Sequence, residues 1–239
     1  MKENGFSPAS GGHRMLHFQE RPAASGTAGP GLLVLMHGVG SHEDDLMALA
    51  PWVGPAWHVV SLRAPHALGP GSHAWFAFQV RPDGTRRIDT AQEAASRAAV
   101  AHTVQALAAA RGVPPSRTVL GGFSQGAILA LSLLRTRPEL MRAALVLHGR
   151  LLPEVDALAA PAAALQDRDL WVSHGRQDTV IPPASAAAIR AWAATQPLRL
   201  AGGDYPGGHG VHPQELADAV AWLNGLRPAS DGRATGADR

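Results

Sequence analysis

Short apolar runs recur along this chain, each followed by a longer amphipathic or alanine-rich stretch. The runs occupy residues 32–36, 58–62, 118–123, 143–147, 170–173 and 198–201. Each is strand-length and lacks polar/apolar alternation, the pattern of strands buried on both faces. Helical periodicity falls between them, at 43–50, 125–136, 184–194 and 213–226. The clearest helix starts at Thr90, where Thr90 and Glu93 stand in capping-box spacing. Val100, Val104 and Leu107 then share one face, and Gly112 stops the helix before Pro114-Pro115. Strands alternating with helices predict an α/β protein with a mostly parallel central sheet and helices on both faces. One domain is expected over residues 15–226, with a first strand near 14–20. Residues 1–30, above all 23–31, and the tail 227–239 lack apolar periodicity and read as flexible.

A chain of 239 residues, 46% hydrophobic, can bury one sizeable core. Its formal net charge is only +2, and 20 of its 21 basic residues are arginine. The high pI therefore reflects the basicity of guanidinium and not a cationic surface. Basic residues are too scattered to predict nucleic-acid binding. The absence of cysteine excludes disulfides, thiolate metal sites and a cysteine nucleophile. The first 30 residues carry no apolar signal core and no apolar run approaches a bilayer span, so a cytoplasmic protein without stable membrane insertion is expected.

The chemistry must then use oxygen or imidazole. Gly122-Phe123-Ser124-Gln125-Gly126 fits G-x-S-x-G, although a chain with 26 glycines and 13 serines meets that spacing by chance often enough that context must carry it. The context is a predicted strand ending at 123 and a predicted helix starting at 125. A turn that sharp leaves no room for a side chain at Gly122 or Gly126, and it presents the Ser124 hydroxyl at a helix N-terminus. A neutral serine needs a base to take its proton and a carboxylate to orient that base. Asp178 lies in the loop beyond the run 170–173, on the carboxyl side where open α/β sheets bind ligands. Asp167 and Asp169 precede that strand and read as turn residues, and Asp204 is the alternative acid.

His209 sits in the glycine-flanked loop Gly207-Gly208-His209-Gly210. His212 is the alternative base, but it adjoins Pro213 and reads as a helix-cap residue. The order Ser, Asp, His is that of α/β-hydrolases. Met36-His37-Gly38-Val39-Gly40 follows the first buried strand, which assigns the backbone N–H groups of Val39 and Gln125 to an oxyanion hole. His37 is expected to brace that loop. Metal binding by His37 with His42, or His209 with His212, lacks helical spacing and a third ligand, so no metal and no cofactor are expected.

Four segments now stand in order: LMHGVGSHEDDL from Leu35, GFSQGA from Gly122, HGRQDTVIP from His174 and GGHGVHPQEL from Gly207. Together they resemble the phospholipase/carboxylesterase family of α/β-hydrolases, over about residues 15–226. The resemblance implies Ser124, Asp178 and His209 as catalytic residues, Val39 and Gln125 as oxyanion donors, and Trp75-Phe76 as a substrate-binding aromatic pair. The rings of Trp75, Phe76 and Phe78 also concentrate in the long connection 63–88, where they either line an acyl site or fasten the loop to the core. Two departures stand out. His148-Gly149 replaces an expected Ser-Gly, and the first loop reads Gly-Ser-His where the thioesterase branch has Gly-Asp. The expected activity is cleavage of small carboxylic esters of short to medium acyl chain through an acyl-enzyme. A thioesterase or lysophospholipase would use the same triad, whereas a noncatalytic ligand-binding protein would not need it complete. A homodimer is compatible with the sequence.

Overall fold

The computed structural model describes residues 15–82 and 86–226. The expectations for residues 1–14 and 227–239 lie outside them. In chain order the elements are β1 (Phe18–Arg21), β2 (Gly31–Met36), α1 (Glu43–Met47), β3 (Trp57–Leu62), β4 (His66–Gly69), β5 (Ser72–Ala74), β6 (Phe78–Val80) and β7 (Arg86–Ile88). They continue with α2 (Thr90–Arg111), β8 (Thr118–Phe123), α3 (Gln125–Thr136), β9 (Ala143–Leu147), β10 (Asp169–Gly175), α4 (Ala184–Ala193), β11 (Arg199–Tyr205) and α5 (Pro213–Gly225). The main sheet has seven strands in the order β1-β3-β2-β8-β9-β10-β11. Only β1 runs antiparallel, along β3.

Strand alternation divides the core into two layers. Leu32, Val34 and Met36 point into a cluster with Val100, Val104 and Leu107 of α2, Leu129 of α3 and Ile189 of α4. Leu33 and Leu35 point the opposite way, into a cluster with Leu46 of α1 and Ala219 and Leu223 of α5. Every side chain of β8 through β10 except Phe123 is buried, which explains why those strands read as unbroken apolar runs.

Several elements differ from the sequence expectation. The cap of α2 is Asp89, not Thr90: its carboxylate accepts from the N–H groups of Ala91 (3.1 Å) and Gln92 (3.0 Å). Glu93 turns instead to Arg97 (3.0 Å). The segment 23–31 is tied down by Ala24 N–H on Pro55 O (2.8 Å) and Ala23 N–H on His58 Nδ1 (3.2 Å). Asp169 opens β10 and pairs with Arg142 and Arg199, so among the two carboxylates before that strand only Asp167, at φ 61°, is a turn residue. The connection 63–88 holds two small hairpins, β4-β5 and β6-β7.

Candidate active site

Three parallel strands deliver the candidate residues to the same end of the sheet. Ser124 caps α3 at φ 53° and ψ −114°, a strained conformation for a non-glycine residue. The two glycines of its motif are sterically required. A Cβ on Gly122 would lie 2.4 Å from the carbonyl carbon of Gly126, and one on Gly126 would lie 1.9 Å from Met36 O. Ser124 N–H donates to Leu147 O (3.0 Å), which locks the turn to β9. The helix thus starts beneath the hydroxyl, with its positive end facing the same space.

His209 comes from the loop between β11 and α5. Its Nε2 lies 2.8 Å from Ser124 Oγ and its Nδ1 lies 2.7 Å from Asp178 Oδ2. Asp178 is buried after β10, and its Oδ1 accepts from Val180 N–H and Ile181 N–H, both at 2.9 Å. The rivals are engaged elsewhere. Asp204 binds Arg190, and His212 is the N-cap of α5, closing a capping box with Glu215.

The first loop is braced as expected. His37 Nε2 accepts from Ala64 N–H (3.1 Å), which leaves the proton on Nδ1 to donate to Gly38 O (2.7 Å). Burial pushes its imidazole below the ordinary range, so it stays neutral. Among the described residues no protein acceptor takes the N–H of Val39 or of Gln125. The Gln125 side chain is a clamp that sequence reasoning missed: its Oε1 accepts from Trp75 N–H (2.8 Å) and its Nε2 donates to Phe76 O (2.6 Å). Trp75 and Phe76 therefore separate in role. Trp75 is fully buried, with its indole N–H on His37 O (2.9 Å), and belongs to the frame under the first loop. Phe76 lines a cleft of about 50 Å³ that holds Ser124 and Gln125.

A family model described as Phospholipase/Carboxylesterase matches residues 23–226. The chain belongs to the phospholipase/carboxylesterase family. Esterase YpfH of Escherichia coli (strain K12) is 30% identical over 198 residues, 80% of this chain and 76% of that protein. Among solved structures, esterase PE8 matches with a TM-score of 0.74 and 27% identity over 90% of this chain and all (100%) of its own. The Bacillus cereus carboxylesterase matches with a TM-score of 0.74 and 20% identity over 89% of this chain and 95% of its own, a likeness of fold. This member of the phospholipase/carboxylesterase family is thus an esterase-type hydrolase with the α/β-hydrolase fold. No helix among its described residues is long and apolar enough to cross a membrane.

Behind the Ser124–His209–Asp178 row, this family member carries a second imidazole on the same carboxylate. His148, at φ 55° where the resemblance led one to expect serine, is fully buried. Its Nδ1 lies 2.9 Å from Asp178 Oδ2 and its Nε2 lies 3.3 Å from Glu215 Oε2. Glu215 also accepts from Ser173 Oγ (2.6 Å) and His212 N–H (3.1 Å). Burial alone would lower the His148 pKa, but Glu215 and Asp178 outweigh it and hold the ring above the ordinary imidazole range. Both nitrogens facing carboxylates makes it an imidazolium. Burial likewise raises Asp178, yet hydrogen bonds from His148, His209 and Ile181 bring it down to about 2. Glu215 falls for the same reason, His148 and Ser173 overcoming its burial. The other rings beside His148 are Phe123, the edge-on His209 (centroids 5.5 Å apart) and the stacked His174 (5.0 Å), whose imidazole burial pushes below the ordinary range.

His148, His174 and Asp178 are the one group of described residues with ligand atoms close enough to share a metal ion. The pairs considered from sequence, His37 with His42 and His209 with His212, do not form such a group. All three members already hold protein partners, His174 Nε2 on Ile181 O (2.7 Å), Asp178 on His209 and His148 on Glu215.

The buried triplet makes stability depend on pH. His148 is raised above its reference of 6.5, so its contribution is complete below about pH 6.5 and is lost as pH rises through the raised value. Asp178 and Glu215 are held below 3.8 and 4.5, so theirs is complete above about pH 4.5 and is lost on acidification. With no cysteine and a single lysine, few other groups titrate between pH 7 and 10. The melting temperature should therefore fall as pH rises above about 6.5. His148→Asn, which tolerates a left-handed backbone, should start lower at pH 6 and lack that fall. A parallel alkaline slope in both proteins would remove the imidazolium assignment.

Proposed function

We propose that this chain is a serine carboxylesterase for esters of short to medium acyl chain, working through an acyl-enzyme. The observation that carries the reading is His209 spanning Ser124 Oγ and Asp178 Oδ2 at 2.8 and 2.7 Å, at the tip of a strained strand-to-helix turn. In the first half-reaction Ser124 Oγ attacks the ester carbonyl while His209 Nε2 takes its proton. Asp178 holds the other nitrogen as N–H and stabilises the imidazolium. The N–H groups of Val39 and Gln125 take the developing oxyanion, where one preorganised donor typically contributes about 2.7 to 4 kcal/mol. Collapse breaks the bond to the alcohol, which leaves with the proton from His209. In the second half-reaction His209 deprotonates a water that attacks the acyl-serine, and collapse returns the proton to Ser124 and releases the acid.

Rapid quenching during turnover of 4-nitrophenyl acetate, followed by peptide mass analysis, should find an acetyl group on the peptide containing Ser124 and an initial burst of nitrophenol. Turnover with no acyl adduct, or an adduct on another residue, would refute the acyl-enzyme route.

A further inference from the structure

The cleft beside Ser124 is apolar on most of its wall, through Phe76, Ile88, Ile128 and Ile181, yet it also holds two guanidinium groups, those of Arg86 and Arg150. None of the described residues that line it carries a carboxylate. Elsewhere arginines of this protein meet acids, as in Arg63 with Glu43, Arg111 with Glu20 and Arg142 with Asp169. Arg86 and Arg150 instead rest on main-chain carbonyls, Arg86 Nη2 on Val180 O (2.5 Å) and Arg150 Nη1 on Leu151 O (3.1 Å). The buried Nε of Arg86 has no acceptor among the described residues. Burial lowers the Arg150 pKa; exposed Glu154 offsets this in part and the like charge of Arg86 adds to it. Two cations that feel each other in a largely apolar cleft, neither in an ion pair among the described residues and only Arg150 partly offset by exposed Glu154, carry a desolvation and repulsion cost that an entering anion would relieve.

We infer that this cleft is a binding site for esters that carry an anionic oxyacid group, a carboxylate above all, a few bonds from the scissile carbonyl, with Arg150 and Arg86 taking that group. The inference rests on the esterase reading above. Guanidinium suits the role because its planar fork meets a carboxylate with two parallel hydrogen bonds. The bond from Arg86 to Val180 O fixes the fork against the loop that carries Asp178, so an anion held there is held in register with Ser124. The Arg150 side follows β9 directly, two residues beyond His148.

Two substrate pairs test it and separate the two halves of the ester. In the first the charge is on the acyl half, 4-nitrophenyl hydrogen glutarate against 4-nitrophenyl valerate. In the second it is on the alcohol half, O-acetyl-lactate against isopropyl acetate. In one pair the charged member should exceed the neutral one in kcat/KM by about tenfold to a hundredfold at low salt, the range of a charge-assisted hydrogen bond, and the preference should shrink as ionic strength rises. Arg150→Gln and Arg86→Gln should bring the ratio towards one, and Arg150→Lys should retain part of it. The ratio is taken within each protein, so a loss of folded material cancels. No preference for charge in either pair, or a preference that survives both glutamine substitutions, overturns the inference. Calorimetry of glutarate on the Ser124→Ala protein gives a readout free of turnover, expected to disappear when Arg150→Gln is added. Glutarate binding with no ester cleaved would sink the esterase reading and leave the site standing. Neutral esters cleaved without glutarate binding would do the reverse.

Discussion

Ser124→Ala is expected to lower kcat for a neutral ester by about a millionfold, the loss typical when the nucleophile of such a row is removed. His209→Ala should fall to nearly the same floor, and the double variant no further. The reason is geometric: Oγ and Nε2 share one proton across 2.8 Å, and neither group has a use in the reaction without the other. What remains should come from the donors at Val39 and Gln125, which neither substitution touches. Alanine keeps a Cβ at φ 53°, so the melting temperature should stay close to that of the parent protein. Fluorophosphonate labelling should vanish with Ser124→Ala. More than one per cent of the parent rate in purified variant, or labelling retained on another serine, would end the proposal.

Asp178→Asn should cost about four powers of ten while leaving Ser124 and His209 in place. Asp178 Oδ2 faces two imidazole N–H groups, from His209 at 2.7 Å and His148 at 2.9 Å, and Oδ1 faces two backbone N–H groups at 2.9 Å. An asparagine amide cannot satisfy both sides, because its NH2 meets donors whichever way it turns. Turned towards His209, it favours the tautomer with a bare Nδ1 and a proton on Nε2, which leaves nothing to accept from Ser124. Steady-state rates from pH 6 to 9 check this. A rate within tenfold of the parent would shift the acid's role elsewhere, although Asp204 is already held by Nη1 and Nη2 of Arg190 at 3.1 and 2.7 Å.

The parts of this site legible in the sequence are those dictated by local sterics. Gly122 could be read as obligatory because the turn itself brings its Cβ position onto the backbone of Gly126, whereas Gly126 is fixed by Met36 O of β2, a contact across the fold. His209 could be picked from 12 histidines by its glycine-flanked loop after the last strand. The pattern also resolved His212 as a cap, but it misassigned the cap of α2, since Asp89 and Thr90 are both good capping residues and adjacent. What could not be read is contact across the fold. His148 stood out only as a departure from the expected Ser-Gly, and its partner Glu215 lies 67 positions away. Arg86 and Arg150 converge from different connections for the same reason. The first strand, expected near 14–20, forms at Phe18–Arg21, but the hairpins β4-β5 and β6-β7 escape because three or four largely exposed residues leave no periodicity to detect.

The sheet order also bears on how the protein reaches this state. β2 ends at Met36 and pairs with β8, which begins at Thr118, so the sheet's interior cannot close until some eighty intervening residues have been looped out. Ser124 and His209 are 85 positions apart and meet only after β8, β9, β10 and β11 are all in register. Parallel pairings of such sequence separation form slowly, because loop closure precedes any gain from the contact. Recovery of esterase activity after dilution from denaturant is thus a report on the last long-range pairings, lagging the return of helical signal from α2 and α3. A ribosome-bound chain ending before β11 would hold the serine without its base.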